Sequence, residues 1–102
     1  MAVIHHLTMP DGIPIQMVDE VSDRMNVEAD PPAGLIVHTH YEQDGRVHIV
    51  DVWDSHEAYE TFNAQRLGPT VGKVAGEHGI DLGAGPPPDS VVTELHRMVR
   101  GA

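Results

Sequence analysis

The sequence contains no cysteine and few basic residues, and each shortage excludes a class of protein. Without cysteine, the 102 residues offer no disulfide, no zinc–thiolate site and no thiol nucleophile. Six lysine and arginine residues are outnumbered by sixteen aspartate and glutamate residues, which gives a formal net charge of −10. Because that charge repels phosphate groups and anionic lipid, we expect no nucleic-acid partner and no membrane partner.

Long hydrophobic runs are also missing, which argues against a membrane-spanning helix and a secretory signal peptide. We therefore expect a soluble, cytoplasmic protein. The length suits one domain, and we assign residues 1–102 to it. Aromatic residues are few and concentrated in the middle of the chain, where we expect them to anchor the core: Tyr41, Trp53, Tyr59 and Phe62.

The first quarter of the chain predicts a strand followed by a helix. Residues 2–8 are strand-like, and a turn at residues 10–12 leads into a helix that Pro14 begins. Four apolar residues at helical spacing give this helix one buried stripe: Met17, Val18, Val21 and Met25.

The middle of the chain predicts a β-hairpin. Two strand-like runs, residues 35–43 and 46–54, are joined by Asp44 and Gly45, a pair that favours a type I′ turn. A two-residue loop fixes the pairing: His38 with Asp51, His40 with Ile49, Ile36 with Trp53, and Tyr41 with His48. Because apolar residues occur on both faces of this ribbon, we expect both faces to be covered.

The remaining third predicts a helix, a loop and a last strand. Ser55 is suited to cap a second helix, which we expect Gly68 and Pro69 to interrupt before a weaker helical piece. Residues 79–89 predict a loop and residues 91–99 the last strand. The order β-α-β-β-α-β predicts an α+β, ferredoxin-like fold with a four-stranded antiparallel sheet. Its two helices cover one face, so we expect a second copy of the chain to cover the other, making a homodimer.

Several stretches resemble the dimeric α+β barrel superfamily, above all the step from strand to helix at residues 52–55, Val-Trp-Asp-Ser. The chain is most similar to short members related to the antibiotic biosynthesis monooxygenases. The resemblance implies the fold and the homodimer, but it leaves the activity open. The superfamily includes oxygenases, cyclases, haem-degrading enzymes, decarboxylases and proteins of no known role.

The haem-degrading branch resembles this chain through its strand-ending Val-Trp, but two of its residues are absent. Its second tryptophan would fall at Phe62, and its haem-binding histidine would fall at Gly72. His78 lies nearby in the sequence and could replace that histidine only if the helix shifted. We therefore expect no cofactor.

A predicted cross-strand pair, His38 and Asp51, is the strongest candidate for chemistry. A carboxylate beside an imidazole holds one tautomer and raises its basicity, which suits a general base, although such pairs also serve packing. We name His38 and Asp51 as candidate catalytic residues. We name five candidate ligand-binding residues: Trp53, Phe62, Tyr59, His40 and His6.

Three functions remain open on this basis. The leading interpretation is binding of a small apolar or aromatic molecule between sheet and helices, with cofactor-independent monooxygenation of it. The second is a non-catalytic dimeric binding or accessory protein. The third is a metal site on the His38-Thr39-His40 stretch, with Asp51 or with His5 or His6 of the first strand as a further ligand, a weak signal for which we assign no metal ligand.

Overall fold

The chain alternates strands and helices in the order that the sequence predicts. The computed structural model describes residues 1–83, 85 and 87–102. Its elements are β1 (Val3–Thr8), α1 (Ile15–Met25), β2 (Leu35–Gln43), β3 (Arg46–Trp53), α2 (His56–Phe62), a π-helical segment (Asn63–Leu67), α3 (Gly68–Glu77) and β4 (Asp89–Glu94). Part of the loop predicted over residues 79–89 lies outside the described residues, namely Ala84 and Pro86.

The four strands form one sheet in the order β2-β3-β1-β4, and every neighbouring pair is antiparallel. This arrangement confirms the ferredoxin-like α+β fold. The helices pack on one face of the sheet only. Alternate residues of each strand therefore point either to the helices or to the far face.

The hairpin between β2 and β3 forms with the predicted turn and most of the predicted register. Asp44 and Gly45 have φ of 55° and 76°, as a type I′ turn requires. His38 lies opposite Asp51 and Tyr41 opposite His48. The predicted pairing of Ile36 with Trp53 is wrong, because a bulge between Leu35 and Val37 places Leu35 opposite Trp53.

One apolar cluster joins the helices to each other, and a second joins the helical layer to the sheet. The stripe of α1 contributes Met17 and Val21, which pack against Val74 and Ala75 of α3. A second cluster of Val3, Trp53 and Phe62 joins the two central strands to α2. Trp53 is only 1% exposed and Phe62 is 9% exposed, so the expected aromatic anchor is confirmed for these two residues. For Tyr41 the expectation is wrong, because this side chain lies on the far face of the sheet and is 39% exposed.

The predicted interruption at Gly68 and Pro69 is wrong. The backbone remains helical from α2 through the π-helical segment into α3. A proline lacks the N–H that an α-helix would use and its ring crowds the preceding turn, so a wider turn just before it is a physically reasonable solution. The helix-breaking pair Gly68 and Pro69 therefore corresponds to a change of helix type and not to an end of the helix.

The last strand differs from the predicted residues 91–99. It begins at Asp89 and ends at Glu94, because its only neighbour within the described part of the chain is β1, a six-residue strand. The pairing runs from Thr8 with Asp89 to Val3 with Glu94, and the Leu95 N–H then donates to the Ala2 carbonyl. Beyond that point the alternation of the sequence has no strand to pair with. No helix in the described ranges is both long and apolar enough to cross a bilayer.

Candidate functional site

A cavity of ≈ 460 Å³ lies between the helices and the sheet. Its volume is within the range of small-molecule sites. Apolar side chains of the helical layer form much of its wall. They come from α1 (Met17, Val18, Val21 and Met25), from the π-helical segment (Leu67) and from α3 (Val71). Flexible thioethers adapt to flat apolar ligands as well as to each other.

Three aromatic side chains predicted as ligand contacts line this cavity together. The ring centroid of Trp53 lies 5.4 Å from that of Phe62 and 5.7 Å from that of Tyr59. Ser55 fixes where α2 begins, because its Oγ accepts a hydrogen bond from the Ala58 N–H at 3.1 Å. That start places Tyr59 and Phe62, three residues apart, on the helix face that meets the sheet.

The predicted pair of His38 and Asp51 forms, and both residues line the cavity. Nδ1 of His38 lies 2.7 Å from Oδ1 of Asp51, and the indole N–H of Trp53 donates to Oδ2 at 3.3 Å. Asp51 is only 6% exposed, so its charge depends on these partners rather than on bulk water. The cavity therefore has one polar corner in an otherwise apolar wall.

His40 extends this pair away from the cavity, which it does not line. Its Nδ1 lies 2.9 Å from Nε2 of His38, and its Nε2 lies 2.7 Å from Oδ1 of Asp19 on α1. The side chain of Asp19 is 56% exposed, whereas that of His40 is 18% exposed. A continuous row of polar atoms thus leads from buried Asp51 to the surface.

The structure places His5, and not the predicted His6, at the cavity. His5 is buried, its Nε2 lies 2.9 Å from Oγ of Ser90, and its ring contacts that of Tyr59 at 4.1 Å between centroids. His6 points to the far face of the sheet, where its Nε2 lies 3.1 Å from Nδ1 of His48. One signal in the sequence could have identified His5 as a cavity residue. It alternates in step with the apolar residues Val3 and Leu7, so all three point to the same face of β1.

Burial shifts the titration of two groups at the cavity. It lowers the pKa of His5 below its ordinary value, although the nearby Asp51 carboxylate opposes this shift. Burial and the same carboxylate both raise the pKa of Tyr59. At neutral pH the site therefore presents a neutral imidazole and a neutral phenol beside the Asp51–His38 pair.

The arrangement does not favour the metal or haem hypotheses. Among residues 1–83, 85 and 87–102, no group of three or more histidine and acidic residues is placed to hold a metal ion. The nitrogens of His38 face Asp51 and His40. Phe62 and Gly72 line the cavity, whereas His78 lies outside it and contacts Glu20 at 3.1 Å.

Comparison of the sequence with protein-family models gives no match, and comparison with functionally curated proteins gives none either. The fold, in contrast, matches many solved structures. A protein of Caulobacter crescentus provisionally assigned as an antibiotic biosynthesis monooxygenase superposes with a TM-score of 0.68 at 14% identity, over 94% of this chain and 91% of that one.

Two further structures carry a stated activity. A monooxygenase from the ActVA-Orf6 gene of Streptomyces coelicolor, in complex with nanaomycin D, gives a TM-score of 0.64 at 18% identity over 98% of this chain and 93% of that one. SnoaB, a cofactor-independent oxygenase of Streptomyces nogalater, gives a TM-score of 0.61 at 14% identity over 98% of this chain and 97% of that one. The chain therefore shares its ferredoxin-like α+β fold with structures described as monooxygenases or as a cofactor-independent oxygenase, as the sequence resemblance implies.

Proposed function

We propose that this protein binds a flat aromatic molecule with an ionisable hydroxyl group and oxygenates it without a cofactor. The observation that carries the proposal is the Asp51–His38 pair, with a 2.7 Å contact, in the wall of a largely apolar cavity. The apolar wall accommodates the ring system, and the pair provides a place for the proton that the hydroxyl must lose.

The chemistry that this geometry supports is the formation of a substrate anion. Once the hydroxyl proton moves to the Asp51–His38 pair, the electron-rich anion can itself supply the electrons that dioxygen needs, so no metal or flavin is required. Trp53 and Phe62 would stack on the rings of the substrate. The low polarity of the surroundings would keep water away from the reactive intermediate.

The solved structures support this proposal at the level of analogy. Two proteins of the same fold are described as oxygenases, one of them as cofactor-independent, and one contains the ligand nanaomycin D in its structure. Their identity to this chain is below one fifth, so the proposal depends on the cavity and its polar corner.

Trp53 makes the proposal directly testable. It is the only tryptophan of the chain and lies in the cavity wall, so quenching of its fluorescence reports binding there. With naphthol and anthrone as probes, we expect quenching together with oxygen uptake in an oxygen electrode. Asp51→Asn should retain binding and lower turnover by about 10²- to 10⁴-fold, the usual contribution of an acid–base group.

His78→Ala is the matched control, because it removes a histidine that lies outside the cavity, and it should leave both signals unchanged. Unchanged oxygen uptake in Asp51→Asn would overturn the role of the pair. Quenching without oxygen uptake in the wild type would favour the rival function, a non-catalytic binding protein. One observation favours that rival: both nitrogens of His38 already face a partner within 2.9 Å.

The proposal includes a homodimer formed through the far face of the sheet. Three exposed apolar side chains lie on that face: Val37, Tyr41 and Val91, which are 45%, 39% and 58% exposed. Scattered single apolar residues are ordinary on a surface, but three on one flat sheet face indicate a covered surface. A second copy is the proposed occupant because the resemblance to the α+β barrel superfamily implies one.

A further inference from the structure

Four side chains form one row of hydrogen-bonding atoms between the cavity and the surface. The row is Asp51, His38, His40 and Asp19, and its three contacts measure 2.7, 2.9 and 2.7 Å. Each contact is short enough for a hydrogen bond. Two strands and a helix provide the members, since Asp51 is on β3, both histidines are on β2 and Asp19 is on α1.

Three hydrogen bonds along this row require one more proton than two neutral imidazoles supply. Each of the three contacts needs one hydrogen, and two ionised carboxylates supply none. Two neutral imidazoles supply two hydrogens, so one contact would bring two lone pairs together. A third proton is therefore required, whether it is on an imidazole or a carboxylate, and the row then has a net charge of −1.

We propose that these four residues hold three protons as a unit and act as a proton relay between Asp51 at the cavity and Asp19 at the surface. In one arrangement Asp19 is protonated, both imidazoles have their hydrogen on Nδ1, and Asp51 is ionised. In the other, Asp51 is protonated, both imidazoles have their hydrogen on Nε2, and Asp19 is ionised.

The two arrangements interconvert when each proton moves along its own hydrogen bond. Three bonds to hydrogen break and three form, no ring has to rotate, and neither the proton count nor the charge changes. Asp51 is thereby an available base while the mobile proton is at Asp19, and an acid once it has moved inward. The exposed Asp19 exchanges that proton with water.

The surroundings of the row favour this role at its inner end. The Trp53 N–H donates to the second oxygen of Asp51, and neutral His5 on β1 faces the same carboxylate. Neither group is a cation, so the charge of Asp51 is balanced chiefly through His38. Asp19 and His40 are relay residues for the acid–base step of the proposed function, on which this role rests, and they do not contact the ligand cavity.

Nitrogen NMR of the whole chain with ¹⁵N-labelled histidine tests the relay without any substrate. At about pH 7, Nε2 of His38 and Nδ1 of His40 should show signals averaged between protonated and unprotonated nitrogen, because the mobile proton moves between these two atoms on its way along the row. In Asp19→Asn the amide supplies its own hydrogen to Nε2 of His40. Both rings should then become fixed neutral Nδ1–H tautomers with two well-separated nitrogen signals.

Asp23→Asn is the matched control, because it removes the same charge from an exposed position of the same helix. It should leave the wild-type signals unchanged. Fixed neutral tautomers in the wild type, or the same spectrum for Asp19→Asn and Asp23→Asn, would overturn the relay.

Turnover separates the relay from the function on which it rests. If the wild type consumes oxygen with naphthol or anthrone, Asp19→Asn should lower that rate about tenfold, less than loss of a directly acting group, with Trp53 quenching unchanged. Averaged imidazole signals without any oxygen uptake would refute the oxygenase and keep the proton-sharing row. Oxygen uptake with fixed tautomers would refute the proton-sharing row and keep the oxygenase.

Discussion

At the scale of single residues, His5 couples the stability of the fold to pH. It is 4% exposed, and burial lowers its pKa from the ordinary 6.5, so the folded state favours the neutral ring. As the pH falls below that ordinary value, the unfolded chain binds this proton more readily than the folded chain does. The contribution of His5 to the free energy of unfolding is therefore fully present above about pH 6.5 and is lost as the pH falls.

We expect His5→Gln to reduce this acid sensitivity. Glutamine can still contact Ser90, but it has no proton to take up. Urea unfolding from about pH 7.5 to pH 5 should therefore show a smaller loss of unfolding free energy than in the wild type. The groups that face His5 are Asp51 and Tyr59, together with the neighbouring histidines at positions 6 and 56.

The control is His78→Gln, which removes an exposed histidine that is not among the groups facing His5. It should keep the acid sensitivity that His5 causes. If the unfolding free energy of His5→Gln falls with pH as steeply as that of the wild type, His5 does not provide this coupling.

Much of the candidate site could be predicted from the sequence because the hairpin fixes its own register. Asp44 and Gly45 define a two-residue turn, and from that turn the meeting of His38 with Asp51 follows. The roles of His5 and Asp19 could not be predicted in this way. Each depends on how β1 or α1 packs against the hairpin, which no local turn determines.

At the scale of secondary-structure elements, Gly34 controls how closely β2 approaches α2. Its φ is +88°, and a Cβ built there would lie 2.5 Å from the Cβ of Ala58 and 2.7 Å from Oδ1 of Asp54. Its carbonyl accepts a hydrogen bond from the Asp54 N–H at 2.8 Å. Two constraints, backbone conformation and space, therefore favour glycine at this position.

Substitution of two glycines separates these constraints. Gly12 has nearly the same φ, +90°, but nothing lies within 4 Å of its Cβ position. Gly12→Ala should cost only the backbone strain, about 1–2 kcal/mol. Gly34→Ala should cost the same strain and a further 1–3 kcal/mol or so for overpacking.

Urea unfolding of the two variants at one pH measures the difference. Equal losses of unfolding free energy in Gly12→Ala and Gly34→Ala would show that the contact with α2 relaxes without cost. A larger loss in Gly34→Ala together with altered Trp53 fluorescence would show that the contact also positions the cavity wall.

The elements themselves were predictable where one signal dominated and unpredictable where two competed. Ser55 begins α2 as its side chain predicts. At Gly68 and Pro69 the tendency to break a helix competes with burial of Leu67, Val74 and Ala75, and burial prevails through the π-helical turn. The bulge at Ile36 likewise brings Leu35 into the cavity wall, a tertiary gain that strand alternation does not reveal.

At the scale of the whole molecule, charge and apolar surface act in opposite directions on self-association. Each chain has a formal charge of −10, so two chains would bring −20 together. The exposed apolar face of the sheet favours pairing, whereas the charge opposes it. Because salt screens the repulsion and leaves the apolar contact largely intact, the proposed homodimer should tighten as ionic strength rises.

Two adjacent residues of β4 provide a matched test of the face through which the chains pair. Val91 points to the far face of the sheet, in register with His6, whereas Val92 points to the helix side, in register with His5. They are 58% and 42% exposed. Val91→Glu would place a carboxylate in the proposed interface of each chain, at a cost of about 2–5 kcal/mol when left unpaired there.

Analytical ultracentrifugation should therefore find wild-type dimers, Val92→Glu dimers and Val91→Glu monomers at the same protein concentration. Because the two variants carry the same charge change in the same strand, general effects on solubility or strand propensity are common to both. A monomeric wild type, or dimers that tolerate Val91→Glu as well as Val92→Glu, would contradict pairing through the far face. The cavity would then have to function within one chain.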